Sequence, residues 1–362
     1  MLSGAQHPGR ALLLCIALGA APVAHAEPIR LMMGGMTKIV YLPAVLASQL
    51  GYFKDEGIDV QVVSGPAGID TSTELIAGAI EGAVGFYDHT LDLQSRGQDV
   101  LSVVVLQRAA GLAELASVRT AGGRELAGAA VMKTAASTPA SNTTTANTTA
   151  NAATMNAARG KRLGVTGFGA STWMLTRFLL ARAGVAAGDY TVVPLASDTR
   201  FVEAFEQGTI DAGMVEEPTA TRLLTSGAAS VVVDMRSVAD TQRWLGGPYA
   251  GACLYLRRSW MLAHRKETGK MAQALTRALR FIGTHSAEQI AAVLPPEIIG
   301  NDRAGYVRAL ASAQGAFSKD GLMPDGAPQT VLKVLMTAGT GLTARHVDLS
   351  KTYTNEFVKG MP

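Results

Sequence analysis

Gly167, Gly169, Ser171 and Thr172 fall within the run KRLGVTGFGASTWMLT, Lys161–Thr176, and their types and spacing could do chemistry. Two glycines remove the Cβ atoms that would keep a ligand off the backbone, and two hydroxyls add donors. The elements that must position them read from the flanking pattern. Arg162–Val165 is a short strand and Thr166–Ala170 a glycine loop. Ser171 opens a helix whose apolar side carries Trp173, Met174 and Phe178–Leu180. A strand feeding such a loop and then a helix leaves the first helical N–H groups pointing outward. That is chemistry for holding a small anion. The same residues also suit an ordinary strand–helix turn with Ser171 as its N-cap.

The chain's 362 residues suit two domains, and 48% hydrophobic with 17% charged residues is a globular composition with ample core. A formal charge of +3, without any Lys/Arg run, argues against a nucleic-acid partner. Arg10 precedes the apolar run Ala11–Ala21, and Ala24-His25-Ala26 supplies the small residues of a cleavage site. Residues 1–26 therefore read as an export signal, too short to span a bilayer, with Glu27 as the mature N-terminus. Cys253 is then the only remaining cysteine, which excludes an internal disulfide. It lies in the apolar run GACLYL and reads as a buried core thiol.

Strand and helix patterns alternate through the mature chain, which predicts an α/β fold of mostly parallel sheets flanked by helices. The pattern occurs twice. Asp59/Asp189, Val62/Val192, Val63/Val193, Gly78/Gly208, Ile80/Ile210 and Glu81/Asp211 all match at one offset of 130 residues. Two similar lobes follow. Lobe one is predicted over 27–108 plus 258–362, and lobe two over 109–257. An insertion at 134–158, uncharged and rich in Ala, Thr and Asn, lacks apolar periodicity and predicts a disordered surface tract. Ala250–Leu256 reads as a last strand. Beyond it Met271, Leu275, Leu279 and Ile282 form one helical stripe, and Ser286 with Gln289 a capping-box start.

Ligands of open parallel sheets sit beyond the carboxyl ends of the strands. That rule selects Met36-Thr37-Lys38, Ser64-Gly65-Pro66 and Tyr87-Asp88-His89 from lobe one. From lobe two it selects Gly167–Thr172, Ala196-Ser197 and Glu216-Glu217-Pro218. Facing loop ends make a cleft, with the crossings near Gln107–Leu112 and Gly247–Tyr249 as the hinge.

The mature chain resembles the substrate-binding proteins of bacterial ABC importers, in the family covering aliphatic sulfonates, nitrate, taurine and thiamine-type pyrimidines. The resemblance is carried by Gly51-Tyr52-Phe53-Lys54-Asp55-Glu56-Gly57-Ile58-Asp59-Val60, Ala77-Gly78-Ala79-Ile80-Glu81-Gly82, Gly160-Lys161-Arg162-Leu163-Gly164-Val165 and Gly208-Thr209-Ile210-Asp211-Ala212 with Glu217-Pro218. It spans nearly the whole mature chain, apart from the insertion. It implies a type II periplasmic-binding-protein fold with a ligand cleft between the lobes. It further implies a monomer in the periplasm that captures a small anionic or zwitterionic ligand without a cofactor and hands it to an inner-membrane ABC permease.

The candidate ligand set is Thr37, Lys38, Gly65, Tyr87 and Asp88 from lobe one, Gly167, Phe168, Gly169, Ser171, Thr172 and Glu217 from lobe two, and Tyr249 at the crossing. Each has a plainer alternative. Lys38 could be solvated, Tyr87 core, Asp88 an N-cap, and Glu217 the opening of a helix through its dipole. A carboxylate at Glu217 would also repel an anion, which favours a ligand with a donor or cationic end. The histidines show no metal spacing. A thiamine-pyrimidine binder is the alternative binding role. Fungal relatives that synthesise the pyrimidine are cytosolic and carry a cysteine-rich motif, unlike this chain. A dinucleotide site is disfavoured because Thr172 stands where the third glycine belongs.

Overall fold

The computed structural model describes residues 27–65, 69–118, 155–342 and 347–360. The expected export signal and most of the expected insertion lie outside them. Two five-stranded sheets form the two lobes. The first takes β1 (Ile29–Met33), β2 (Val60–Ser64), β3 (Gly82–Phe86), β4 (Val100–Val105) and β10 (Ala252–Arg257), in the order β2-β1-β3-β10-β4. The second takes β5 (Leu112–Ser117), β6 (Arg162–Val165), β7 (Thr191–Pro194), β8 (Ala212–Glu216) and β9 (Ala229–Met235), in the order β7-β6-β8-β5-β9.

The offset of 130 residues in the sequence is visible in this topology. β3 and β8 coincide under it, and each sits beside the one strand of its sheet that runs antiparallel to both neighbours. In lobe one that strand is β10, and in lobe two it is β5. Each lobe thus receives its antiparallel strand from chain that has just crossed from the other lobe, so both sheets are mixed. The boundary expected at residue 257 lies instead before Ala252, because β10 belongs to the first sheet.

Helices cover both sheets. In lobe one these are α1 (Leu42–Gln49), α2 (Tyr52–Asp55), α3 (Ile69–Ala77) and α4 (Tyr87–Ser95). In lobe two they are α5 (Ser171–Arg182), α6 (Asp198–Gln207), α7 (Thr219–Thr225) and α8 (Val238–Leu245). After β10 the chain is helical: α9 (Arg258–Ala263), α10 (Arg265–Thr284), α11 (Ala287–Ala292), α12 (Pro296–Ile299), α13 (Arg303–Ala313) and α14 (Ala327–Thr337). The stripe Met271, Leu275, Leu279 and Ile282 is wholly buried on α10, and the capping box of Ser286 and Gln289 opens α11. Burying such a stripe offsets the chain entropy that a helix of this length loses.

One apolar core runs from β1 and α1 through the interface to α5 and β8, so the two lobes are packed together. Met155 and Ala158, at the end of the expected insertion, are buried in it. The uncharged tract therefore becomes packed structure at its C-terminal end. An Arg–carboxylate clamp recurs in both lobes. Glu81 accepts the Arg30 backbone N–H at 2.7 Å and its guanidinium at 2.9 Å, and Asp211 does the same for Arg162 at 2.8 and 3.1 Å.

At the crossings, Gly251 N–H donates to the Gln107 carbonyl at 2.9 Å and Gln107 N–H to the Ala252 carbonyl at 3.1 Å. The two connections are therefore held side by side. A Cβ at Gly251 would run into the Ala109 carbonyl oxygen, which neither strand end can move without breaking these bonds. Gly251→Ala is expected to destabilise the protein by about 3 kcal/mol, read from the urea unfolding midpoint.

Candidate functional site

The carboxyl ends of the strands of both sheets meet at the lobe interface, and four contacts join them. Lys38 Nζ lies 2.8 Å from Glu216 Oε1, and both side chains are buried. Ser171 Oγ donates to Asp88 Oδ1 at 3.0 Å. Thr37 Oγ1 donates to Asp198 Oδ2 at 3.2 Å, and Ile39 N–H to the Glu217 carbonyl at 2.9 Å. These bonds hold the cleft closed. The cavity left inside, lined by Tyr41, Phe86, His89, Leu112, Thr166, Ala170, Ser171, Thr172 and Glu216, is about 10 Å³. That is room for about one water.

The glycine loop builds one wall. Gly169 has φ +75°, a left-handed conformation that side chains rarely adopt, and it lets the backbone turn from β6 into α5. Ala170 is the N-cap and makes no side-chain bond, so Ser171 is the first helical residue rather than the cap. Its hydroxyl is free to reach across to Asp88. The Thr172 hydroxyl turns back instead, accepting from Thr166 N–H at 3.0 Å and sharing a bond with Thr166 Oγ1 at 2.8 Å. Thr172 thereby fixes the loop, and Ala170, Ser171 and Thr172 line the cleft. Phe168, at the loop tip, is 53% exposed and does not line the cavity.

Asp88 and His89 begin α4 from the other side. Burial foremost raises the Asp88 pKa, opposed by the His89 charge and the Ser171 bond. Its Oδ1 also lies 3.6 Å from His89 Nε2. Its Oδ2 has no hydrogen-bond partner, and neither has either His89 ring nitrogen, among the described residues. Buried polar atoms without partners are costly, and three of them on adjacent residues make Asp88 and His89 candidates for contact with a ligand.

Several candidates sit elsewhere. Tyr87 is fully buried and hydrogen-bonds Thr352, which places it in the core of lobe one. Gly65 follows β2 against Met32 and does not line the cavity. The Glu217 carboxylate accepts from Arg236 at 2.7 Å and from Thr221 N–H at 2.9 Å, serving the start of α7. Its neighbour Glu216 faces the cleft. Tyr249 is buried, its hydroxyl has no partner among the described residues, and burial foremost, then the Asp88 charge, push its pKa upward. Cys253 is buried in β10, and burial raises its thiol pKa.

Glu114 carries a signal that the sequence reading missed. This buried β5 carboxyl accepts from Thr176 Oγ1 of α5 at 2.9 Å, and burial pushes its pKa from 4.5 to about 8. It is a neutral acid at pH 7. An acidic residue inside the otherwise apolar run LAELAS was the available hint.

The sequence profile of the NMT1-like family matches residues 24–294. The chain belongs to the NMT1-like family. No functionally curated protein sequence matches it. A solved protein from Bordetella bronchiseptica is similar to this NMT1-like chain at 28% identity, TM-score 0.79, covering 92% of this chain and 96% of that one. The alkanesulfonate-binding protein SsuA from Xanthomonas axonopodis pv. citri, bound to MOPS, has TM-score 0.63 at 16% identity, covering 92% and 99%. The periplasmic nitrate-binding protein NrtA from Synechocystis has TM-score 0.62 at 15% identity, covering 91% and 86%. These likenesses show the periplasmic-binding-protein fold.

Two outcomes are expected. Lys38→Met strands the Glu216 carboxylate and costs about 3 kcal/mol, whereas Lys38→Met with Glu216→Leu costs less than Lys38→Met alone; a double-mutant cycle in urea measures both. Between pH 4.5 and 8 the unfolded chain ionises Glu114 while the folded chain keeps its proton, so stability falls as pH rises through that window. Glu114→Gln removes this slope, so its melting temperature gains on the native chain from pH 5 to pH 8; parallel curves would refute the buried acid.

Proposed function

We propose that this protein is the solute-binding component of an ABC importer, closing its two lobes on a small organic zwitterion in the periplasm and presenting it to an inner-membrane permease. The observation that carries the reading is the lobe interface itself. Buried polar groups from the strand ends of both halves face one another there; among the described residues Asp88 Oδ2 and both His89 ring nitrogens have no hydrogen-bond partner. The Ser171 hydroxyl is spent on Asp88 as one of the bonds that join the two lobes.

The charges narrow the ligand class. The first-turn N–H groups of α5 favour an anionic end. Glu216 is offset by Lys38, but Asp88 opposes a simple anion such as nitrate and favours an ammonium or N–H donor. A molecule with both ends answers both walls. Entry of such a ligand requires the lobes to part, since the closed cavity holds about 10 Å³.

A thermal-shift screen of the mature chain tests this, with taurine, amino acids, ethanesulfonate, nitrate, aromatic carboxylates and hydroxymethylpyrimidine. A zwitterion is expected to raise the melting temperature, by stabilisation of about 2.7 kcal/mol at one hundred times its Kd, while nitrate leaves it unchanged. Asp88→Asn is expected to weaken the zwitterion at least about tenfold. A screen without any shift would overturn the reading, and a response to nitrate alone would overturn the ligand class.

A further inference from the structure

A second cavity opens on lobe one, between α3 and α4. Its volume is about 390 Å³, and its walls include Ile76 and Ala77 of α3 and His89, Asp92 and Leu93 of α4. Gly169 of lobe two stands at its rim. Two features connect this groove to the cleft. His89 lines both cavities, and Gly169 is followed directly by Ala170 and Ser171, which line the cleft. The His89 side chain is 8% exposed, and neither ring nitrogen has a hydrogen-bond partner among the described residues. A buried imidazole with two unused polar atoms therefore stands where the closed cleft meets an open groove.

The floor of the groove is apolar. Leu93 belongs to a small core cluster with Leu75, Ile80, Val100 and Tyr255, and Ile76 packs against it. The Asp92–Arg96 pair, 2.9 Å apart, is the charged pair among the groove residues. A groove of this size suits a drug-sized organic group, whereas the closed cleft does not.

We propose that the ligand is a zwitterion with an aryl or cycloalkyl body. The head group would lie at Asp88, His89 and the start of α5, and the body in the groove between α3 and α4. This rests on the solute-binding reading above and adds the substrate class. It separates this protein from binders of taurine-sized solutes, whose bodies would leave the groove empty.

Matched pairs measured by calorimetry test it: taurine against N-cyclohexyltaurine, and glycine against phenylalanine. The member with the larger body is expected to bind at least about tenfold more tightly in one pair. Ala77 is exposed at the last position of α3 and lines the groove, so Ala77→Trp fills the groove without entering the core. This variant is expected to erase the preference and keep the affinity for the small member, while Ala77→Ser retains both. Equal binding within each pair, or a preference that survives Ala77→Trp, would overturn the groove assignment and leave the solute-binding reading standing. Failure of all four compounds to bind overturns the zwitterion class, and the groove assignment with it.

Discussion

The ion pair between Lys38 and Glu216 is the contact on which the closed arrangement turns. Each group belongs to a different lobe, both are buried, and their separation is 2.8 Å. Removing a charge from water costs several kcal/mol, and here the partner that offsets the cost comes from the opposite half of the molecule. Parting the lobes returns both charges to solvent, and closing them requires the pair to form. Lobe closure and charge pairing are therefore one event. The Ser171–Asp88 and Thr37–Asp198 bonds follow the same logic with weaker groups.

The strand exchange couples the lobes while keeping their sheets separate. Each sheet owes its antiparallel member to the chain that has just crossed over, β10 in one lobe and β5 in the other. Two adjacent connections then join the lobes, clipped together through Gln107, Gly251 and Ala252. A paired crossing restrains twisting while permitting a hinge. The C-terminal helices add a brace, for Arg177 of α5 donates to the Ala338 carbonyl at 2.7 Å just beyond α14.

Polar groups inside the interface fall into two kinds. Glu217 and Thr172 spend their hydrogen bonds on local structure, fixing α7 and the glycine loop. Among the described residues, Asp88 and His89 keep atoms unspent, and the Tyr249 hydroxyl also has no partner. Fully satisfied groups position the walls, and under the proposed solute-binding role the unsatisfied ones supply the recognition. Glu114 stands apart as a neutral acid under α5, its pKa raised by burial against the opposing Thr176 bond.

The sequence determined much of this. Alternating strand and helix patterns, the 130-residue repeat, the stripe on α10 and the capping box of α11 are local or periodic signals, and local hydrogen-bond geometry enforces them wherever they occur. The rule that ligands meet strand carboxyl ends pointed to loops that the fold brings together at the lobe interface, including Glu216-Glu217-Pro218. Choosing between those two glutamates was a matter of strand parity. Side chains alternate along β8, so Glu216 shares its face with Met214 toward the lobe interface, and Val215 faces the separate core of lobe two. Which face looked across the cleft depended on how the sheets pack. The same holds for Tyr87, drawn into the core by Thr352 from the far end of the chain, and for β10, which joined the first sheet. Such partners are hundreds of residues apart or in the other lobe, and their pairing is decided by long-range packing that no local pattern encodes.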